Sequence, residues 1–199
     1  MKLYYSPGAC SLSPHIALHE AGLAFEAVAA PTKTHKLPDG SDYYLVNPLG
    51  YVPFLALDSG ETLREGPAIV QYIADQAPAS GLAPANGTID RYRLQSMLTF
   101  INSEIHKAIG VMFKPDFRAE DKPAQIEKVR ARLDTFSAQL GGREWLVGDR
   151  FTVADGYLFV VLSWLKIFGI ALSDWPNLAA HHARVGARPS VQAAIAAEG

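Results

Sequence analysis

The sequence predicts a small α/β domain followed by an all-helical domain, and three observations support this division. Short apolar runs separated by glycine and proline fill residues 1–78 in the order β-α-β-loop-β-β-α. The segment from Ala77 to Gly87 holds two prolines, two glycines and no charged residue, as a linker does. Beyond it, apolar residues recur at helical spacing. We therefore expect domains at 1–78 and 88–199, joined by a linker at 79–87.

Composition and charge exclude several classes of protein. The chain has 199 residues, is 49% hydrophobic and carries a formal net charge of −2. No basic stripe stands out, so we do not expect a nucleic-acid partner. No apolar run is long enough to cross a bilayer, and no basic region followed by an apolar segment precedes the first strand. One cysteine cannot form an internal disulfide, which indicates a reducing compartment. We expect a soluble, cytoplasmic protein.

The first domain opens with a strand at Lys2–Tyr5 and a helix that Gly22 ends. We expect Ser11 or Ser13 to cap this helix. Its first turn tolerates Pro14, because the N–H that proline lacks has no intrahelical partner at that position. A second strand follows at Phe25–Ala29.

A β-hairpin and a second helix complete the first domain. The hairpin arms are Phe54–Leu57 and Glu61–Leu63, joined by a glycine turn, and Pro53 opens the first arm where a missing N–H is tolerated. Glu65-Gly66-Pro67 then begins the helix.

Cys10 is the only cysteine and lies at the start of the first helix. Unpaired N–H groups and the helix dipole at such a position favour a thiolate, which predicts a pKa lowered from ~8.5 to roughly 3.5–7.5. The alternative is that a lone cysteine serves as a small buried apolar residue. Position and burial statistics favour the two interpretations about equally.

The second domain shows two apolar stripes and one strong helix start. The stripes run from Leu94 to Ile109 and from Ile126 to Leu140 at steps of three and four. Thr152-Val153-Ala154-Asp155 has the form of a capping box, with Phe151 placed as a hydrophobic staple. It predicts the start of a buried helix.

A polar stripe shares the first of these helices. Thr99, Asn102, Ser103 and His106 follow at steps of three, one and three, so they lie on one face. Most polar stripes are solvated surface. This one is short-chained and nearly uncharged, which favours contact with a ligand or another chain.

Five motifs in order resemble the cytosolic glutathione S-transferases. They are a β-α-β start, Tyr51-Val52-Pro53-Phe54-Leu55, Glu65-Gly66-Pro67-Ala68-Ile69, an all-helical second domain and Phe151-Thr152-Val153-Ala154-Asp155. Gly8-Ala9-Cys10-Ser11 together with His106-Lys107 is similar to the bacterial beta class. The resemblance covers the whole chain. It implies a thioredoxin-like first domain, a helical-bundle second domain and a homodimer that uses glutathione as co-substrate and no metal.

The resemblance also implies roles for particular residues. Cys10 would hydrogen-bond the glutathione thiol or bond to it covalently, and Ser11 could share the hydrogen bond. His106 would hydrogen-bond the sulfur of Cys10 or that of glutathione and help to keep it ionised. The residues that it implies for glutathione binding are Ala9, His35, Lys36, Val52, Pro53, Glu65, Gly66, Thr99, Ser103, Glu104 and Lys107. Those that it implies for an apolar substrate pocket are Phe113, Tyr157 and Trp164, although these large side chains could equally form core.

Within this set, the binding roles differ in kind. Pro53 would be cis and would leave the backbone of Val52 as an edge to which the glutathione backbone pairs. Glu65 would accept from the α-ammonium of glutathione, and Gly66 N–H would hold the γ-glutamyl carboxylate.

Other positions reach further or depart from the family. Thr99, Ser103 and Glu104 would reach the glutathione of the other subunit. Position 99 is threonine where asparagine is common, and position 35 is histidine where lysine is expected, so Lys36 would substitute.

Three functions follow as hypotheses. The first is conjugation of glutathione thiolate to hydrophobic electrophiles, a detoxification reaction. The second is monothiol redox or peroxidase chemistry through a mixed disulfide at Cys10. The third is a non-catalytic protein that sequesters hydrophobic ligands or antibiotics, because the fold alone does not specify a reaction.

Overall fold

A computed structural model describes residues 1–199. Its only sheet has four strands, β1 (Lys2–Tyr5), β2 (Glu26–Ala29), β3 (Phe54–Ala56) and β4 (Thr62–Arg64), in the order β2-β1-β3-β4. β1 pairs parallel with β2 and antiparallel with β3, and β3 pairs antiparallel with β4. The parallel pair needs a crossover connection, which the first helix supplies. The thioredoxin-like order predicted for the first domain is confirmed.

Packing divides the chain into two units, residues 1–83 with 187–199, and residues 84–186. The first unit holds the sheet and the helices α1 (Leu12–Ala21), α2 (Gly66–Gln76) and α8 (Pro189–Glu198). Gly22 takes a left-handed conformation with φ 64° and ends α1, as predicted.

The predicted side-chain cap of α1 is wrong. Ser11 occupies the capping position, but its side chain caps no helix N–H. The Ser11 hydroxyl accepts from Ser6 N–H at 3.1 Å, and the Ser13 hydroxyl is buried without a partner. The Ser11 hydroxyl, which was predicted to cap α1, instead bonds the backbone of the turn before the helix.

Helix α8 belongs to the first unit, although the sequence analysis placed every residue beyond 88 in the helical domain. It packs on α1, where the Glu198 carboxylate lies 3.0 Å from His15 Nδ1 and accepts from Gly8 N–H at 3.3 Å. Helical periodicity shows which face of a helix is buried, but it does not show which element covers that face.

The second unit is entirely helical. Its helices are α3 (Ile89–Phe100), α4 (Lys107–Gly110), α5 (Lys122–Leu140), α6 (Val153–Ser163) and α7 (Pro176–Gly186). The predicted first long helix is interrupted between α3 and α4 by a π-helical segment at Ile101–His106.

The predicted capping box starts α6, and its Asp155 carboxylate is fully buried. That carboxylate accepts from Thr152 N–H at 2.8 Å and from Leu146 N–H at 2.9 Å, and it lies 2.8 Å from His181 Nε2. The backbone and side-chain donors satisfy the carboxylate without solvent. None of the helices combines the length and the apolar composition that a membrane span requires.

Candidate functional site

Cys10 lies in the turn between β1 and α1, two residues before the helix begins. Its side chain is partly buried and unpaired with any other cysteine. The thiol donates to the Val52 carbonyl oxygen at a sulfur-to-oxygen distance of 3.4 Å. A thiol that donates must carry its proton, so this contact favours the neutral form.

The predicted depression of the Cys10 pKa is wrong in sign. Burial raises the pKa of the thiol to about 11, and the nearby negative charge of Glu65 raises it further. The backbone N–H groups of Cys10 and Ser11 lower the pKa, as the helix-start argument expected, but they do not offset burial. The free protein therefore holds Cys10 as a thiol at neutral pH.

The Ser11 hydroxyl is not available to hydrogen-bond a ligand thiol alongside Cys10. Its side chain is fully buried, and its hydroxyl both accepts from Ser6 N–H at 3.1 Å and donates to Ser6 C=O at 3.3 Å. The residue closes the turn that carries Cys10, and we leave it out of the set that contacts a ligand.

The strand edge beside Cys10 is held by two buried side chains that the sequence analysis missed. The Val52–Pro53 peptide bond is cis, as the resemblance implied. The preceding carbonyl, that of Tyr51, accepts from the Tyr43 hydroxyl at 2.9 Å and from Asn47 Nδ2 at 2.8 Å. The sequence Asn47-Pro48-Leu49-Gly50 is a turn pattern, and it could have indicated that the Asn47 side chain bonds the backbone nearby.

Glu65 is one of two non-glycine residues with a positive φ. It caps α2 by position at φ 66° and ψ 113°, while its exposed side chain makes no capping hydrogen bond. An L-residue in this region costs about 1–3 kcal/mol, and such strain clusters at functional sites. The conformation leaves the carboxylate free for a ligand, and it directs the backbone into α2, where Gly66 N–H is the first donor.

The loop candidates occupy different surroundings. His35, at φ 51°, packs against Tyr44 with tilted rings whose centroids are 4.5 Å apart, and its Nδ1 is buried without a partner. Lys36 is exposed and its backbone bridges Asp42. Ala9 packs against the apolar cluster that includes Val52. The roles of Ala9, His35 and Lys36 in glutathione binding stay predictions.

The second unit places His106 in a hydrogen-bonded chain. His106 Nδ1 lies 2.6 Å from the Tyr157 hydroxyl, which donates to Asn102 Oδ1 at 2.9 Å. Burial lowers the pKa of His106 to about 4, so the imidazole is neutral at physiological pH. Tyr157 was expected to line an apolar pocket, but its hydroxyl is engaged in these two hydrogen bonds.

The three aromatic candidates form one cluster with His106. The ring centroid of Trp164 is 4.9 Å from that of His106 and 5.7 Å from that of Phe113. Phe113 is 47% exposed, whereas Trp164 is 7% and Tyr157 2% exposed. Phe113 is therefore the member of this cluster most able to meet an apolar substrate.

The remaining candidates of α3 and its continuation face a polar groove or solvent. Ser103, Glu104 and Lys107 line a cavity of about 470 Å³. Arg132 Nε holds the Glu104 carboxylate at 2.7 Å. The Thr99 hydroxyl is exposed and donates to its own helix, at Gln95 C=O. No group of three or more histidine, cysteine or acidic residues could hold a metal ion.

Comparisons with known proteins agree on one family along both units. The model of the glutathione S-transferase N-terminal domain matches residues 8–76, and that of the C-terminal domain matches residues 100–189. Glutathione S-transferase GstA of Escherichia coli O157:H7 is 42% identical over 199 residues, which cover 100% of this chain and 99% of that relative.

Two solved structures are similar along the full length. One is the bacterial beta-class glutathione S-transferase of Sphingomonas chungbukensis, and the other is a sphingomonad glutathione S-transferase complexed with glutathione. Each is 52% identical, covers 100% of this chain and 99% of its own, and superposes with a TM-score of 0.96.

Proposed function

The chain belongs to the glutathione S-transferase family, and we propose that it conjugates the thiolate of glutathione to electrophilic carbon in hydrophobic compounds. The observation that carries this proposal is the Cys10, Val52 and Glu65 constellation in a chain that matches such enzymes along its whole length. Glutathione is the co-substrate.

In this proposal the first unit binds glutathione through its backbone and its charged end. The strand edge at Val52 pairs with the cysteinyl backbone of glutathione, as an added strand would. The Glu65 carboxylate accepts from the α-ammonium, and Gly66 N–H at the start of an 11-residue helix holds the γ-glutamyl carboxylate. The strained backbone of Glu65 and its side chain free of capping bonds support this assignment.

Cys10 serves in this proposal as a hydrogen-bond donor. A thiol whose pKa is raised to about 11 is a poor nucleophile at pH 7, but it is a donor that can turn from the Val52 carbonyl towards an anionic sulfur. The attacking sulfur is then that of glutathione. The enzyme accelerates the reaction by positioning and orienting the glutathione sulfur and by stabilising its charge with the desolvated Cys10 donor.

The redox alternative uses the same atom in another way. A glutathione disulfide can exchange with Cys10 only through the thiolate, which the protein disfavours. We therefore place mixed-disulfide chemistry second. Intact-mass measurement after incubation with glutathione disulfide tests it, and an adduct of glutathione mass at Cys10 within seconds at pH 7 would reverse this order.

We also propose that the enzyme is a homodimer in a reducing compartment, in agreement with its single cysteine. The segment from Tyr44 to Tyr51 exposes four large apolar side chains, with Leu45 84% and Leu49 54% exposed. A patch of this kind on a single chain marks an interaction surface.

The test of the proposed function is Glu65→Gln, with Glu61→Gln as the matched control on the exposed hairpin turn. We expect Glu65→Gln to lose retention on immobilised glutathione and conjugation of an activated chloroarene, because the amide cannot neutralise the ammonium. Glu61→Gln should keep both. Equal retention of the two variants would remove Glu65 from the site, and saturable ligand binding without turnover would favour the sequestering protein.

A further inference from the structure

The last residue of helix α8 bonds the turn that carries Cys10. One oxygen of the Glu198 carboxylate accepts from Gly8 N–H at 3.3 Å, two residues before the thiol. The other oxygen lies 3.0 Å from His15 Nδ1, on α1. One carboxylate therefore links the turn, α1 and α8, all within the first unit. We call these two contacts of Glu198 the α8 clamp.

The His15 ring gives the α8 clamp a fixed anchor. The side chains of His15 and Glu198 are both buried. The His15 ring lies among those of Tyr5, His19 and Phe25, with centroids 5.5, 5.2 and 5.4 Å from its own. An ionised carboxylate can only accept, so His15 Nδ1 carries the hydrogen of this contact. Because packed rings fix the imidazole, the carboxylate that it holds is fixed as well.

The turn is closed at its base but exposed at its tip. The Ser11 hydroxyl bonds Ser6 N–H and C=O, and Ala9 N–H donates to Ser6 C=O at 3.0 Å. Pro7 and Gly8 at the tip are exposed, and Gly8 takes a positive φ of 70°. Glycine loses more conformational freedom on folding than any other residue. A bond from outside the turn therefore contributes directly to the order of its tip.

We propose that Glu198 is a positioning residue that holds the Gly8-Ala9-Cys10 backbone in the geometry in which Cys10 meets a ligand sulfur. The identity of that sulfur rests on the proposed transferase function, whereas the α8 clamp rests on the contacts of Glu198 alone. Without the bond to Gly8 the tip of the turn opens more often, and the thiol leaves the Val52 carbonyl more often with it. Helix α8 thus contributes to the site without touching a ligand.

A second contact between α1 and α8 provides a matched control. Glu20, in the last turn of α1, accepts from Arg188 Nη2 at 2.9 Å and from the Ser190 hydroxyl. This contact lies at the opposite end of α8, and none of the bonds of Glu20 reaches the Cys10 turn. Glu20→Gln and Glu198→Gln each remove one carboxylate from the contact between the two helices, so both should lower Tm.

The reactivity of Cys10 separates positioning from helix packing. A glutamine at position 198 has one accepting oxygen and cannot accept from both donors. We expect Glu198→Gln to react with iodoacetamide at pH 7.5 ~5-fold faster than the unmodified protein and to raise KM for glutathione by a similar factor, which corresponds to one lost hydrogen bond. Glu20→Gln should leave both values unchanged. An unchanged alkylation rate in Glu198→Gln, or equal acceleration in the two variants, would overturn the proposal.

Amide exchange in the unmodified protein tests the α8 clamp without any variant. Gly8 is exposed, so its N–H should exchange as in a peptide unless the bond to Glu198 holds it. We expect exchange at least ~10-fold slower than in a peptide of the same sequence. Exchange at the peptide rate would overturn the proposal, even with conjugation intact. A protected Gly8 N–H together with no conjugation would instead overturn the proposed function.

Discussion

Adding a hydroxyl at position 66 should strengthen glutathione binding. The backbone of Gly66 is outside the left-handed region, and a Cβ built there would meet only Pro53 Cγ, at 3.9 Å, which is an ordinary van der Waals distance. Serine and alanine therefore both fit the first turn of α2. Only serine adds a donor beside the N–H that we assign to the γ-glutamyl carboxylate.

The magnitude follows from the net value of one hydrogen bond. A hydroxyl-to-carboxylate bond made on binding contributes about 1–1.5 kcal/mol, which is a ~5- to 12-fold lower Kd for glutathione. Replacing glycine by alanine in a helix stabilises it by up to ~1 kcal/mol, and serine gives part of that gain. Both variants should thus unfold at equal or higher temperature, so stability does not distinguish them.

Isothermal titration of Gly66→Ser and Gly66→Ala with glutathione makes the comparison. We expect a tighter Kd for Gly66→Ser alone, with Gly66→Ala close to the unmodified protein. Equal tightening in both variants would attribute the gain to helix preorganisation. Unchanged binding in Gly66→Ser would refute the placement of the carboxylate at the start of α2.

Three further predictions concern the thiol, the imidazole and the exposed loop. With its pKa raised to about 11, Cys10 should react with iodoacetamide at pH 7.5 ~20-fold more slowly than a free cysteine, and its rate should still be rising at pH 9.5; a plateau below pH 8 would contradict the burial argument. His106 binds a proton near pH 6.5 when unfolded and near 4 when folded, so the unfolded state takes up more protons on acidification. The free energy of unfolding should fall between pH 7.5 and 5 by up to ~2 kcal/mol more than in His106→Gln, as urea titrations would measure; equal losses would show that the ring is not buried neutral. If the protein is the proposed homodimer, Leu45→Asp should convert it to a monomer in sedimentation, whereas Ile167→Asp, also at an exposed apolar residue, should not; a monomeric unmodified protein would refute the assigned surface.

Local patterns were sufficient to predict most of the elements. The strands, the left-handed stop at Gly22 and the capping box at Thr152 and Asp155 all depend on residues within a few positions of one another. The π-helical turn and the packing of α8 on α1 depend on contacts between distant parts of the chain. The bond from Glu198 to Gly8 joins residues 190 positions apart, and no periodicity encodes it.

The candidate site divides in the same way. The resemblance identified Cys10, Pro53 and Glu65, and the structure gathers the thiol, the Val52 carbonyl and the Glu65 charge in one place. The direction of the Cys10 pKa shift was not predictable from the position of the residue at a helix start, because the groups that bury the thiol and the charge of Glu65 belong to other segments of the chain.

The same limit applies to the orientation of single side chains. Asn102 was visible as part of a polar stripe, but its bond to Tyr157 joins residues 55 positions apart. The sequence could place Asn102 on a face of the helix, and only the structure could identify its partner.

The central claim is that the reacting thiol belongs to a glutathione held by its γ-glutamyl end at Glu65. The most direct measurement is kcat/KM for conjugation of one electrophile with glutathione and with cysteinylglycine, which has the same thiol but no γ-glutamyl group, in the unmodified enzyme and in Glu65→Gln. The unmodified enzyme should prefer glutathione strongly, and Glu65→Gln should lose ~10-fold or more of that preference, the value of a hydrogen bond between charged groups. An equal preference in both proteins would contradict the account.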